Sequence, residues 1–168
     1  MDIVRNHPVT NVEILQLIPN CKFFLYSDLW KIKSLNELLP RSIILYQLAR
    51  VGHWIAIFEN SEGINVFDSL GYAPDDELDL IDDRKRLIKY HENFTYLLKL
   101  LSQTNKRIIY NDHRLQARST STCGMWVTHR ILHSDMTEDE YYEMMKKIKN
   151  KDLYIAKYWK YLKSQHNL

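Results

Sequence analysis

A turn sequence between two strand-like segments constrains the fold of this 168-residue chain more than any other feature. Residues 53–59 and 64–68 are rich in β-branched and aromatic residues, and Asn60-Ser61-Glu62-Gly63 lies between them. This pattern predicts an antiparallel β-hairpin, because the turn residues accept the backbone angles that a tight reversal needs. A hairpin brings the end of its second strand back beside the start of its first. His53 and Asp68 are therefore predicted to be lateral neighbours.

Further strands and helices flank the hairpin in the sequence. Short apolar runs predict two more strands, at 43–48 and 107–111. Capping boxes and apolar residues at three-to-four spacing predict helices over 11–18, 35–39, 84–102, 138–149 and 152–163. Helices that precede, interrupt and follow strands are typical of an α+β fold, with a mostly antiparallel sheet and helices packed around it. The length favours one domain over residues 1–168.

The composition is that of a globular protein. Hydrophobic residues make up 45% of the chain and charged residues 26%, which excludes a disordered, collagen-like or coiled-coil protein. The 4 glycines are few, since average usage gives about twelve in this length. Cys21 and Cys123 form no CxxC pair, so we expect neither a cysteine-ligated zinc ion nor a disulfide framework. Without a signal-peptide or membrane-span pattern, we expect a soluble protein of a reducing intracellular compartment.

The segment around Cys123 predicts a thiol at a helix N-terminus. Polar residues 119–122 precede the cysteine, and an apolar-rich helical stretch follows it. The helix dipole and the free backbone N–H groups of a first turn favour the thiolate, which is the nucleophilic form. Gly124 is expected to leave one face of the sulfur uncovered. A buried cysteine that acts as a small apolar residue explains the same segment equally well.

Three other polar residues are of the types that a reactive thiol needs as partners. His53 opens a core strand and can act as a base, and Asp68 can accept its ring N–H and fix the tautomer. Gln116 lies seven residues before Cys123 in a polar loop, where its amide can donate to an oxyanion. Taken one at a time, each residue has a commoner structural explanation: a strand-end histidine, an Asx turn and a loop glutamine.

A second pair of histidines, His129 and His133, lies four residues apart on the helix predicted after Cys123. This spacing lets both rings face one metal ion, but no third ligand lies nearby at a suitable spacing. We therefore interpret the pair as part of a solvated or partly buried helix face. No metal site and no cofactor are expected.

Taken together, the motifs resemble one protease family. Gly52-His53-Trp54, Phe67-Asp68-Ser69, Gln116 and Cys123-Gly124 are similar in type and order to the motifs of the adenain-like and ubiquitin-like-protein-specific cysteine proteases, over roughly residues 40–135. That family includes the adenovirus maturation protease, related proteases of other large DNA viruses and virophages, and the SUMO-specific proteases. The resemblance implies a circularly rearranged papain-like core. It also implies that Cys123 is the nucleophile, His53 the base and acid, Asp68 the orienting carboxylate and Gln116 the oxyanion donor.

Details of the motifs bring the resemblance nearer to the viral branch. The gap between Gln116 and Cys123 is closer to that of the viral enzymes, and Thr122 stands where SUMO proteases often have Asp. The adenovirus enzyme is activated by DNA and by a disulfide-linked peptide. Cys21 lies far from the region that would make this linkage, so a peptide cofactor is not expected here.

The resemblance implies a cysteine endopeptidase that cleaves capsid or other virion precursor proteins after Gly or another small residue. It would act in the host cytoplasm or nucleus and be packaged in the virion. The alternatives are a deubiquitinase- or deSUMOylase-type isopeptidase and an inactive fold that binds ubiquitin-like proteins. A chymotrypsin-like cysteine protease also runs His, acid, Cys, but its double β-barrel needs abundant turns, and this chain has 4 glycines.

A basic segment, residues 145–163, raises a different class of function. It holds seven lysines and one acid, Asp152, in a chain of net charge +2. Its lysines interleave with aromatic residues, a pattern that can neutralise phosphates and stack on bases. DNA is therefore a candidate partner through Lys146, Lys147, Lys149, Lys151, Lys157, Lys160 and Lys163. A solvated face explains the lysines more simply, with the aromatic residues turned toward the core.

Overall fold

The computed structural model describes residues 8–47, 52–76, 78 and 95–166. In chain order, the elements are α1 (Asn11–Leu17), β1 (Lys22–Leu25), two 3₁₀ helices (Tyr26–Lys31 and Leu35–Glu37), β2 (Arg41–Gln47), β3 (Gly52–Asn60), β4 (Gly63–Asp68), α2 (Tyr96–Leu101), β5 (Ile108–Tyr110), α3 (Cys123–Leu132), α4 (Glu138–Lys146) and α5 (Lys151–Gln165). Within these ranges, no helix combines the length and apolarity needed to cross a bilayer.

A five-stranded sheet in the order β1-β2-β3-β4-β5 runs through the described structure. The central strand β3 is antiparallel to both β2 and β4, whereas the edge strands β1 and β5 run parallel to their neighbours. The structure thus confirms the α+β class, the β3–β4 hairpin and the antiparallel centre of the sheet. The parallel pairing of the two edge strands was not predicted. A double β-barrel is excluded as the arrangement of the described strands, because they form this one sheet.

Strand β3 is covered on both of its faces. Trp54, Ala56 and Phe58 belong to one apolar cluster, while Ile55 and Ile57 belong to another. Side chains alternate between the faces of a strand, so each cluster takes every second residue. A strand buried on both faces has a continuous apolar run rather than an alternating one, which explains the sequence from His53 to Phe58.

Helices fill both sides of the sheet and complete the two clusters. On one side, α1, α3, α4 and α5 contribute large buried side chains, which include Ile14, Trp126, Tyr141 and Trp159. On the other side, the two 3₁₀ helices and α2 contribute theirs, which include Leu29, Leu35 and Leu97. The four helices of the first side bring the start of α3, and with it Cys123, against the sheet.

Several element boundaries differ from those predicted. The helix predicted over 35–39 is a 3₁₀ turn, Leu35–Glu37, and the helix predicted over 138–149 ends at Lys146. The side chain of Asn150 caps the following helix, so the chain must leave α4 before that residue. Of the helix predicted over 84–102, α2 is observed, and 84–94 lies outside the described residues. The four residues of β1 were missed because so short a run carries no readable period.

Candidate active site

A cavity of about 610 Å³ opens where the start of β3, the start of α3 and the segment before α1 meet. Cys123, His53 and Gln116, three of the four predicted site residues, line it. The fourth, Asp68, contacts His53. The remaining lining residues are Pro8, Val9, Thr10, Asn11, Leu45, Gly52, Trp54, Leu70, Arg118, Thr120 and Ser121. The structure thus brings together predicted site residues that lie as much as 70 positions apart in the chain, His53 and Cys123.

His53 and Asp68 form a buried pair. Strand register pairs Asp68 with Ile55, so His53 lies diagonally across the hairpin from Asp68, on the same face of the sheet. His53 Nε2 lies 2.9 Å from Asp68 Oδ2, and the two residues are 5% and 1% exposed. A carboxylate accepts, so Nε2–H is the donor. This tautomer leaves Nδ1 as the basic nitrogen of the ring.

Asp68 is itself held from two sides. Its Oδ1 accepts from the backbone N–H of Leu70 at 2.7 Å, and its own N–H donates to Asn111 Oδ1 at 2.9 Å. Asn111 also donates back to the carbonyl oxygen of Asp68. Its polar loop was visible in the sequence, but no local pattern marks Asn111 as the partner of a residue 43 positions away. These contacts fix the carboxylate that orients His53.

Cys123 is the first residue of α3, as its segment predicted. Its backbone N–H therefore has no acceptor within the helix and is oriented along the helix axis toward the N-terminal side. Cys123 is 8% exposed and lines the cavity. The sequence left two interpretations open, an accessible thiol at a helix start and a buried apolar residue. Both hold in part, because the thiol is packed among core residues and still borders the cavity.

The other thiol, Cys21, has different surroundings. It lies half-buried before β1, and burial raises the pKa of the Cys21 thiol to about 11. No disulfide joins it to Cys123, since both are free.

Gln116 is held at both ends of its amide. Its Oε1 accepts from the Ser69 hydroxyl at 2.6 Å, and its Nε2 donates to the carbonyl oxygen of Thr120 at 2.8 Å. A primary amide carries two N–H groups, so the bond to Thr120 uses one of them. Ser69, which is fully buried, also accepts the backbone N–H of Gln116 through its carbonyl oxygen at 2.9 Å. Ser69 is a positioning contact that the sequence did not reveal.

Gly124 lies where the packing is tight. A Cβ at this position would lie 2.9 Å from Val9 Cβ and 3.2 Å from Trp54 Cδ1. The glycine therefore allows α3 to pack closely against the segment before α1 and against β3. Trp54 Nε1 donates to the carbonyl oxygen of Val9 at 3.1 Å at the same junction. Gly124 thus shapes a wall of the cavity through packing.

The interpretation of His129 as a solvated or partly buried residue is wrong. His129 is fully buried, and its Nδ1 lies 2.8 Å from the hydroxyl of Tyr141. Burial, with the nearby charges of His133 and Arg130, lowers the pKa of His129 to about 3, so the ring is neutral. His133 is partly buried, as expected. Among the described residues, no group of three or more His, Cys, Asp or Glu side chains could hold a metal ion.

The aromatic residues of the basic segment do not all face the core, as the sequence had predicted they would. Trp159 packs in the core, but Tyr154 is 37% exposed and Tyr161 is 58% exposed. The nearby Lys157 and Lys160 are exposed on the same helix, α5. Lys163 forms an ion pair with Glu13 at 3.0 Å, so its charge is partly compensated within the chain.

Comparison with known proteins finds likeness to solved structures. No family model matches the chain, and no curated protein matches it. Among the solved structures that match is one described as SUMO protease Ulp1 with the catalytic cysteine oxidized to a sulfinic acid. It is 14% identical, with a TM-score of 0.40 over 91% of this chain and 79% of that chain.

Proposed function

We propose that this protein is a cysteine endopeptidase. The observation that supports it is the convergence of Cys123, the His53–Asp68 pair and Gln116 on one cavity of about 610 Å³. A thiol at a helix start, a histidine oriented by a buried carboxylate and an amide donor supply a nucleophile, a base and an oxyanion ligand. Each of these residue types has commoner structural uses, but their meeting on one cavity is what acyl transfer requires.

The proposed reaction gives each of these groups one role. His53 Nδ1 accepts the proton of the Cys123 thiol, because Nε2 is engaged by Asp68. The thiolate attacks the scissile carbonyl carbon, while the Cys123 N–H and the second amide N–H of Gln116 donate to the oxyanion. The imidazolium then gives its proton to the leaving amine, and a thioester remains on Cys123. Water attacks this thioester with His53 as the base and releases the carboxylic acid.

We further propose that the substrates are capsid or other virion precursor proteins, cleaved after Gly or another small residue. The support for this finer proposal is the motif resemblance to the viral branch of the family. Isopeptidase action on ubiquitin-like proteins is the alternative, since the same chemistry cleaves an isopeptide bond. The two proposals differ in the substrate alone, so substrate choice separates them.

The experiment compares wild type with Cys123→Ala on candidate virion precursors and on ubiquitin and SUMO fusions. Cys21→Ala is the matched control, because it removes the other thiol and leaves the cavity intact. We expect cleavage by wild type and by Cys21→Ala, and none by Cys123→Ala. Full cleavage by Cys123→Ala would show that the assignment of the nucleophile is wrong.

DNA binding is a second candidate function, supported by the exposure of Tyr154 and Tyr161 beside Lys157 and Lys160. Exposed aromatic rings can stack on bases while lysines neutralise phosphates. Fluorescence anisotropy with a labelled oligonucleotide should show binding that weakens steeply as salt rises. Lys157→Glu with Lys160→Glu should reduce it, whereas Lys33→Glu, outside the basic segment, should not. No binding at low salt would dismiss this proposal.

A further inference from the structure

A carboxylate buried at the start of α5 stands out from its surroundings. Asp152 is the one acid within 145–163, a segment with seven lysines, yet it is only 7% exposed. It lies in the first turn of α5, after the N-cap Asn150, where the helix dipole favours a negative charge. A buried carboxylate is costly unless hydrogen-bond donors surround it. Asp152 has four of them, and all belong to the segment that runs from the residue after Gln116 into the first turn of α3.

The four donors come from residues 117–126. Oδ1 of Asp152 accepts from the Thr122 hydroxyl at 2.6 Å, from Trp126 Nε1 at 3.0 Å and from the Thr120 hydroxyl at 3.2 Å. Oδ2 accepts the backbone N–H of Ala117 at 2.9 Å. These contacts fasten the whole link between Gln116 and Cys123, together with the first turn of α3, to a residue more than 25 positions further along the chain.

A short series of bonds connects Asp152 to the proposed oxyanion donor. The hydroxyl of Thr120 contacts Asp152, and the carbonyl oxygen of Thr120 accepts from Gln116 Nε2 at 2.8 Å. Ala117, the next residue after Gln116, donates directly to Asp152. On the other side, Thr122 donates a hydrogen bond to Asp152. Thr122 immediately precedes Cys123, so the peptide bond between them carries the Cys123 N–H. Both groups that would bind the oxyanion are thus one residue away from a contact with Asp152.

We propose that Asp152 is a positioning residue for the oxyanion site, an inference that rests on the proposed peptidase function. Its carboxylate holds the Gln116 amide and the Cys123 N–H in the relative geometry that stabilises the tetrahedral intermediate. A carboxylate suits this role because it accepts at both oxygens and has no hydrogen to donate. An asparagine would turn an N–H₂ group toward either Ala117 N–H or the donors at Oδ1, and at least one bond would be lost.

The decisive experiment measures Asp152→Asn, because this substitution should affect kcat, KM and the alkylation rate of Cys123 to different extents. Contacts made in the transition state alone affect kcat rather than KM. We expect kcat to fall about 10²-fold, as for a displacement of about 1 Å in a reacting geometry, with KM within about twofold of wild type. Alkylation of Cys123 by iodoacetamide needs no oxyanion site, so its rate should stay near that of wild type.

A matched variant controls for the loss of any buried carboxylate. Asp75 is 5% exposed and accepts from the hydroxyls of Tyr26 and Tyr46 at 2.6 and 3.2 Å and from Leu98 N–H at 2.8 Å. It does not line the cavity. Asp75→Asn should therefore leave kcat near that of wild type at temperatures where the variant is folded. The indole N–H resonance of Trp126 should shift in Asp152→Asn and stay in place in Asp75→Asn.

A second pair of variants tests the same contact more gently. Thr122→Val removes the hydroxyl that donates to Asp152 at 2.6 Å and keeps the side-chain shape, while Thr122→Ser keeps the hydroxyl. Valine should lower kcat and serine should restore most of it. These variants keep the proposal testable if Asp152→Asn fails to fold.

The outcomes separate this inference from the function on which it rests. If wild type cleaves and Asp152→Asn or Thr122→Val keeps kcat within about twofold, the positioning role is wrong and the peptidase proposal stands. If alkylation and kcat fall together in both variants, Asp152 only supports the fold. If wild type and Cys123→Ala are equally inactive on every substrate, the peptidase proposal fails, and the positioning role fails with it.

Discussion

At the residue scale, the two thiols of the protein have opposite surroundings. Cys123 begins a helix and borders the cavity that also holds His53. Cys21 is half-buried, and burial raises its pKa to about 11. A thiol with that pKa is thiolate in only about one molecule in 10⁴ at pH 7, and the thiolate is the reactive form.

We therefore expect iodoacetamide at pH 7 to alkylate Cys123 much faster than Cys21, as measured by mass spectrometry of the labelled peptides. Cys123→Ala and Cys21→Ala supply the two single-thiol references. Equal rates at the two positions would favour the inactive fold that binds ubiquitin-like proteins. This measurement needs no substrate and can precede the cleavage assays.

Asp68 allows a prediction about general base catalysis. Asp68→Ala removes the acceptor that orients His53 at 2.9 Å, so we expect kcat to fall about 10²- to 10⁴-fold. Asp112→Ala is the control, because Asp112 lies in the nearby polar loop with an exposed side chain. Steady-state kinetics on the same peptide would measure both variants. Unchanged kcat in a folded Asp68→Ala would remove Asp68 from the mechanism.

How far the site could be predicted depends on the distance between partners in the sequence. His53 and Asp68 could be paired because one short hairpin joins them. Ser69, Asn111 and Asp152 could not, since their contacts to Gln116, Asp68 and Thr122 span 47, 43 and 30 positions. Local patterns carry turn and helix signals, but they carry no information on which distant loop will meet another. The residues proposed to react could be predicted from the sequence, whereas the residues that hold them in place could not.

At the scale of the elements, helix starts were predicted better than helix ends. The capping boxes of α1, the second 3₁₀ helix and α4 are all present as side-chain hydrogen bonds. Their residues lie three apart, so the signal is local. The helix ends were less accurate because they depend on the packing of the next element, as the early end of α4 shows.

The cap of α4 gives a stability prediction away from the cavity. Thr137 Oγ1 accepts from Glu140 N–H at 3.2 Å, and Glu140 Oε2 accepts from Thr137 N–H at 2.8 Å. Thr137→Ala should lower the free energy of unfolding by about 1 kcal/mol in urea denaturation. Thr137→Ser keeps a hydroxyl at the cap and should recover most of this loss. Because α4 does not line the cavity, a large fall in kcat in either variant would contradict this account.

At the scale of the whole molecule, the sheet separates two apolar clusters, and the larger set of helices lies on the side that holds His129. The folded protein keeps this ring neutral down to a pH of about 3, whereas an unfolded histidine is protonated below about 6.5. Between these values the unfolded state binds one more proton. The free energy of unfolding should therefore fall as pH drops from about 6.5 toward 3.

His129→Asn tests this linkage, because asparagine keeps a polar group near Tyr141 and does not titrate. We expect the variant to show a smaller loss of stability on acidification, by up to about 1.4 kcal/mol per pH unit. The measurement is urea denaturation at several pH values between 4 and 7, and exposed His166→Asn is the control. Identical pH slopes in wild type and His129→Asn would show that His129 does not carry this linkage.

Glu138 has the opposite effect on how the free energy of unfolding changes with pH. It must therefore be present in both of the proteins that are compared. Burial raises the pKa of Glu138 to about 7, although Arg130 opposes the rise. The folded state therefore keeps a proton that the unfolded state has lost, and stability falls as pH rises from about 4.5 to 7. Wild type and His129→Asn both keep Glu138, so its contribution cancels in the difference between their slopes.

The contact between Thr122 and Asp152 also has a consequence for biosynthesis. The nucleophile is made 29 residues before the carboxylate that anchors its loop, and at 5–20 residues per second a ribosome takes a few seconds to cover this interval. During that time Cys123 is part of a nascent chain in which Asp152 does not yet hold the segment between Gln116 and Cys123. We expect proteolysis to begin only after translation has passed α5, so neighbouring nascent polypeptides are spared until this protein has folded.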